Sequence, residues 1–128
     1  MAKEKLRKEI KVSFSPEFDE EYRKLLKEVV EDRERGIENS FNIQLLKAID
    51  RTISLLKIQS DYGIHIPKNR IPREFTEKYG INNLWKVDLP SSWRLCYTLK
   101  TSRIEILTIL LEFINHKRYN KLFGYKKK

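Results

Sequence analysis

The residues in this chain best suited to proton transfer or to holding a phosphate are two histidines, six tyrosines and 27 lysines and arginines. Their spacing is most suggestive in the second half. Lys86 and Arg94 stand in neighbouring apolar-rich segments, and His116, Lys117, Arg118, Tyr119, Lys121 and Tyr125 follow the last apolar run. Metal-free cleavage of RNA needs a base for the 2′-hydroxyl proton, cations for the charge that builds on phosphorus, and an acid for the leaving oxygen. Histidine, lysine, arginine and tyrosine can divide those tasks. Arginine's planar fork suits the phosphate, and tyrosine rings can stack on a splayed base. Lys86, Arg94, His116, Arg118 and Tyr119 are therefore the candidate catalytic group. Lys68, Arg70, Arg73, Lys117, Lys121 and Tyr125 are candidates for RNA binding. Each has a plainer rival: Arg94 can pair with Asp88, His116 can cap a strand end, and Lys126 to Lys128 can serve only solubility.

Charge distribution supports a polyanion as partner. The net charge of +9 divides into +1 for residues 1–60 and +8 for residues 61–128, with no acidic residue from His116 onward. A basic half of this kind is the electrostatic footprint of nucleic-acid binding. Other chemistries lack their fingerprints. The sequence has no Gly-rich phosphate loop, no nucleophile elbow and no Cys/His spacing for a metal, so neither metal nor cofactor is expected. A lone cysteine, Cys96, allows no intrachain disulfide, no signal-peptide pattern opens the chain, and the longest apolar run, Ile104 to Ile114, is too short to cross a membrane. The expected location is the cytoplasm, with no membrane contact.

The elements that must position these residues can be read from periodicity. A length of 128 residues suits one domain, with residues 1–8 and 126–128 expected to be flexible ends. Ile10 to Phe14 alternates as a short strand. Ser15-Pro16-Glu17 then offers an N-cap, a first-turn proline and a helix-favouring acid, and the apolar stripe from Phe18 to Val30 predicts a helix stopped near Gly36. A second stripe, Ile43 to Leu56, predicts another helix capped by Asn39 or Ser40 and ending near Ser60. Asp61 to Ile81, broken by Gly63, Pro67, Pro72 and Gly80, reads as a basic connection with a possible helical turn at Pro72 to Tyr79.

Three strands should follow, Leu84 to Leu89, Trp93 to Leu99 and Ile104 to Ile114, in an antiparallel meander. A three-residue loop, Pro90-Ser91-Ser92, pairs Leu89 with Trp93, Val87 with Leu95 and Trp85 with Tyr97, which places six bulky residues on one face as core. Asp88 then opposes Arg94 and Lys86 opposes Cys96, so Lys86 and Arg94 are expected on the open face of the sheet. The third strand, apolar at both parities, should be central. The fold class is α+β with order β-α-α-β-β-β, a helical hairpin packed on a small antiparallel sheet.

The succession Leu84-Trp85-Lys86-Val87-Asp88-Leu89, Trp93-Arg94-Leu95-Cys96-Tyr97, an apolar strand and His116-Lys117-Arg118-Tyr119 resembles the RelE/ParE toxin superfamily, whose element order is the one just derived. The resemblance implies the toxin of a type II toxin–antitoxin pair, with cleavage of mRNA on the ribosome for RelE-like members and a cognate antitoxin protein as partner. It implies that Lys86 is the family's lysine on the first meander strand, that Arg94 contacts the scissile phosphate, that Arg118 with Tyr119 or Tyr125 binds phosphate and stacks on a base, and that His116 does acid–base work. The same fold carries two alternatives, ParE-type inhibition of DNA gyrase and RNA binding without catalysis. Asp88 is a departure, since some RelE members carry a second lysine there and a carboxylate repels phosphate.

Overall fold

The computed structural model describes residues 8–124, so Tyr125, Lys126 to Lys128 and residues 1–7 lie outside the described residues. The first strand, β1 (Glu9–Phe14), leads through Ser15 into α1 (Pro16–Glu34), and the Ser15 side chain accepts the Phe18 amide as the expected cap. Gly36, at φ +80°, ends the turn after α1 in the left-handed conformation that glycine adopts without Cβ strain. Ser40, rather than Asn39, caps α2 (Phe41–Ile58) by accepting from the Ile43 amide. The remaining elements are β2 (Ile64–Ile66), a 3-10 turn (Lys68–Arg70), α3 (Arg73–Tyr79), β3 (Leu84–Asp88), a second such turn (Pro90–Ser92), β4 (Arg94–Thr101), β5 (Glu105–Ile114) and α4 (His116–Phe123).

The architecture is α+β, with a five-stranded sheet in the order β1-β5-β4-β3-β2. The expected antiparallel sheet is corrected to a mixed one: β1 lies parallel to β5, pairing Glu9 with Glu105 through Phe14 with Leu110. Two helices intervene between β1 and the rest of the sheet, and such a crossover allows parallel pairing. The β3–β4 hairpin has the register argued from patterning, with Trp85 opposite Tyr97, Lys86 opposite Cys96, Val87 opposite Leu95 and Asp88 opposite Arg94. The Leu89 amide donates to the Trp93 carbonyl at 2.8 Å and closes the three-residue loop. Ser91 and Ser92 turn that loop with φ of 56° and 62°, a left-handed pair that non-glycine residues adopt at a steric cost. Interior strand β5 is flanked by β1 and β4 and buried on both faces, as its apolar run implies.

Each face of the sheet has its own core. Phe18, Leu25, Ile43, Ile49 and Leu56 of the helical hairpin pack on Val87, Leu89, Leu95, Tyr97, Leu110 and Phe113, with Trp85 and Trp93 against them. Trp85, Trp93 and Tyr97 are thus core side chains. On the opposite face Phe75 of α3 and Tyr119 of α4 pack with Ile66, Leu84, Cys96, Leu111 and Ile114. A bulge lets β5 serve both cores: Cys96 pairs with Glu112 and Tyr97 with Leu110, so Leu111 is an extra residue that turns to the second face. The Ser15 hydroxyl donates to the Leu111 carbonyl at 2.7 Å and satisfies a backbone group that the bulge frees from the ladder.

Two further features depart from the reading of the sequence. The connection from Asp61 to Ile81 contains β2, which pairs antiparallel with β3 and extends the sheet by one edge strand. The segment after β5 is a helix, and it lies over the sheet face that was expected to be open. That face carries a second apolar core, and α4 supplies Tyr119, Leu122 and Phe123 to it.

Candidate functional site

The second face brings together three of the candidate catalytic residues. Lys86 and Arg94, on paired strands, both lie against the ring of Tyr119 in α4, at 5.7 Å and 4.5 Å from its centroid. Tyr119 is buried and its ring also stacks on Phe123, so it serves as the floor on which the two cations rest. This placement corrects the expectation of an open face for Lys86 and Arg94, whose side chains are only 15% and 16% exposed. Burial of the tyrosine ring leaves little of it for a stacked base.

Asp88 completes the cluster. Lys86 Nζ donates to Asp88 Oδ1 at 2.9 Å, and Arg94 Nε lies 2.9 Å from the same oxygen. The Arg94 contact is Coulombic only: the Nε–H is buried and is not aimed along the line to the carboxylate, so it makes no hydrogen bond. Arg94 instead spends Nη1 on the carbonyl of Ser92, which the left-handed loop turns toward it. Both the expected pairing of Arg94 with Asp88 and the proximity of Arg94 to Lys86 are therefore present together.

His116 opens α4 two residues beyond Ile114, which is the β5 partner of Arg94. Asn115 is the helix cap, its side chain accepting the Arg118 amide at 2.8 Å. The imidazole is exposed, with its Nε2 3.1 Å from Asn120 Nδ2, which donates to it in the tautomer that carries the ring proton on Nδ1.

Arg118 is differently employed. Its Nη2 donates to Glu74 of α3 at 2.6 Å and to Glu112 of β5 at 3.2 Å. Glu112 also accepts from the Tyr79 hydroxyl at 2.6 Å. These contacts tie α3, α4 and β5 into one unit. The Arg118 partnership holds the Glu74 carboxyl below its ordinary range, while burial, with the Glu112 carboxylate beside it, pushes the Tyr79 phenol up. Burial likewise pushes the Cys96 thiol on this face up to about 12, which leaves it a poor nucleophile.

The candidate RNA-binding residues that fall among the described residues are all exposed. Lys117 and Lys121 are exposed on α4, Lys68 and Arg70 on the 3-10 turn, and Arg73 at the start of α3, where it pairs with Glu77 at 2.8 Å. Of these elements, α3 and α4 pack on the same face of the sheet. On the other flank of Arg118 a groove lined by Glu17, Glu20, Glu21 and Glu112 is acidic and disfavours a phosphate chain. His65 is remote in role, with its ring edge-on to Trp85 at 4.8 Å. Among the described residues no cluster of three His, Cys, Asp or Glu side chains is placed to hold a metal ion, and no helix is long and apolar enough to cross a membrane.

Glu74 and Glu112, which hold Arg118, and Tyr79, which holds Glu112, carry no signal in the sequence that marks them for this role. The signals for α4 itself were there: Asn115 as cap, Tyr119, Leu122 and Phe123 at helical spacing, and Gly124 as a left-handed stop at φ +67°. No protein-family model, no characterised protein and no solved structure matches this chain.

Proposed function

We propose that this chain is an RNA-binding domain of RelE-like type that cleaves mRNA on the ribosome, as the toxin of a toxin–antitoxin pair. The observation that carries the reading is the convergence of Lys86 and Arg94 on the ring of Tyr119, in the same short helix that begins with the exposed His116 and carries the exposed Lys117 and Lys121. Two cations held by a rigid sheet and a buried ring are preorganised, so they cost little reorganisation when charge builds on phosphorus. His116, exposed at the helix start, takes the 2′-hydroxyl proton or returns one to the 5′ leaving oxygen. Attack by the 2′-oxygen forms a bond to phosphorus as the bond to the 5′-oxygen breaks, which leaves a 2′,3′-cyclic phosphate and a 5′-hydroxyl. Arg118, committed to Glu74 and Glu112, positions α4 and with it Tyr119 and His116.

The partners of this reading are mRNA, the ribosome and a cognate antitoxin that covers the basic face. Induced expression should arrest growth and leave codon-specific mRNA ends, and both effects should vanish in Arg94→Ala with His116→Ala. Growth arrest with altered DNA supercoiling and intact mRNA would instead indicate gyrase inhibition. Asp88, 2.9 Å from both cations, favours a second reading in which the domain binds RNA without cutting it. Salt-sensitive RNA affinity with no cleavage would establish that reading.

A further inference from the structure

The counter-ion arrangement at Lys86 and Arg94 is asymmetric. Both cations are mostly buried, at 15% and 16% exposure, whereas the carboxylate they share is 60% exposed. Buried charges must stay paired, so the exposed carboxylate, itself cheaply rehydrated, can leave when another anion takes its place. The cations are fixed from beneath by the Tyr119 ring, and Arg94 is further held by the Ser92 carbonyl. Asp88 sits on the last residue of β3, and a side-chain rotation there carries it into water.

A single Asp88 oxygen approaches both cations, yet Arg94 Nε–H stays buried without a hydrogen bond. A buried donor in that state is a standing cost, and it is relieved by an acceptor placed along its N–H direction. Asp88 supplies the charge without the geometry. A phosphate group presents several oxygens over a tetrahedron and can meet Lys86 Nζ and Arg94 Nε with different atoms.

We infer that Asp88 is an exchangeable counter-ion, and that Lys86 and Arg94 form an anion-exchange site which a phosphate or phosphodiester group enters by displacing it. This rests on the reading of Lys86 and Arg94 as phosphate-facing and adds how access to them is set. The carboxylate offsets one of the two positive charges when no ligand is bound and lowers the affinity of the site for stray polyanions. A ligand must replace one negative charge before it gains the two cations.

The test is titration of the full chain and of its Asp88→Asn variant with inorganic phosphate, following the Arg94 side-chain Nε–H by NMR and the thermal midpoint. The neutral amide keeps the shape of the carboxylate and removes its charge. Asp88→Asn should bind phosphate at least tenfold more tightly than the parent, with the Arg94 Nε–H signal moving in both proteins. Equal affinities, or a response that leaves Arg94 Nε–H unmoved, would overturn the inference. If the variant folds poorly without phosphate, the parent alone decides: its Asp88 carboxylate carbon must shift as phosphate binds, and a static signal at saturation counts against exchange. Ribosomes carrying a defined mRNA, incubated with the parent and with Asp88→Asn, separate the two ideas. Tighter phosphate binding in Asp88→Asn with no mRNA cleavage by either protein upholds the exchange site and removes the nuclease reading. Cleavage that depends on Arg94 with no phosphate gain in Asp88→Asn upholds the nuclease reading and removes the exchange.

Discussion

Replacing Tyr97 by phenylalanine should weaken the fold by about 2–3 kcal/mol, because one hydroxyl holds the edge of the sheet that carries Lys86. The side chain is fully buried. Its hydroxyl donates to the Ser60 carbonyl at 2.8 Å and accepts from the Gly63 amide at 3.0 Å, joining the turn between α2 and β2 to the sheet. Phenylalanine preserves the packing and leaves both backbone groups without that partner. A buried group left unsatisfied costs about 1–3 kcal/mol, and the Ser60 carbonyl is the more buried of the two, so most of the loss belongs to it. For a domain of this size the midpoint should fall by roughly 10 °C.

Urea unfolding measures the loss, and hydrogen exchange at the Gly63 amide should quicken more than exchange in β5. Alkaline titration supplies a second check. Burial pushes the Tyr97 phenol up to about 12 from 10.0. The unfolded chain therefore releases its proton first as pH rises, and this contribution to stability is intact below pH 10 and is lost between pH 10 and about 12. Tyr97→Phe should show a shallower alkaline loss than the parent over that range. A variant within about 0.5 kcal/mol of the parent, with unchanged Gly63 exchange, would refute this account of how the β2 edge is held.

Other perturbations probe neighbouring parts of the structure. Gly63→Ala should destabilise by about 2 kcal/mol in the same urea assay, since an added Cβ would stand 2.6 Å from the Lys86 carbonyl oxygen and force β2 and β3 apart. Ser91→Gly with Ser92→Gly should stabilise by about 1 kcal/mol, because glycine accepts the two left-handed conformations without steric cost, and thermal unfolding would show it. Arg118→Ala should cost about 1 kcal/mol of stability by releasing α4 from Glu74 and Glu112, yet lower RNA affinity less than Arg94→Ala does, which filter binding at fixed salt can compare.

The parts of the fold that were legible are those in which the pattern is local and one face is buried. The β3–β4 register followed from six bulky residues that a slip of one position would scatter over both faces, and the caps at Ser15 and Ser40 follow from their own side-chain chemistry. The pairing of β1 with β5 was not legible, because it joins segments far apart in sequence; the Ser15 to Leu111 hydrogen bond spans 96 residues. Strand β2 has only three residues, Ile64, His65 and Ile66, too few for alternation to stand out between Gly63 and Pro67.

The site was half visible for a related reason. Strand parity assigned Lys86, Arg94 and Asp88 to one face, and the structure keeps them there within ion-pair distance. What covers that face depends on how α4 docks, and the basic composition after Ile114 obscured the apolar spacing of Tyr119, Leu122 and Phe123 that buries it. Arg118 shows the same limit: its type and place suit phosphate binding, while its partners Glu74 and Glu112 come from distant elements.

The proposed chemistry is tested most directly by the ends of the RNA it produces. Ribosomes carrying a defined mRNA would be incubated with the purified chain and with Arg94→Ala, and the fragment termini determined. The account predicts 2′,3′-cyclic phosphate and 5′-hydroxyl ends at discrete codons, formed by the parent and at least a hundredfold more slowly by the variant, roughly the loss expected when a preorganised charge stabiliser is removed. Fragments ending in 3′-hydroxyl and 5′-phosphate, or cleavage undiminished in Arg94→Ala, would contradict it.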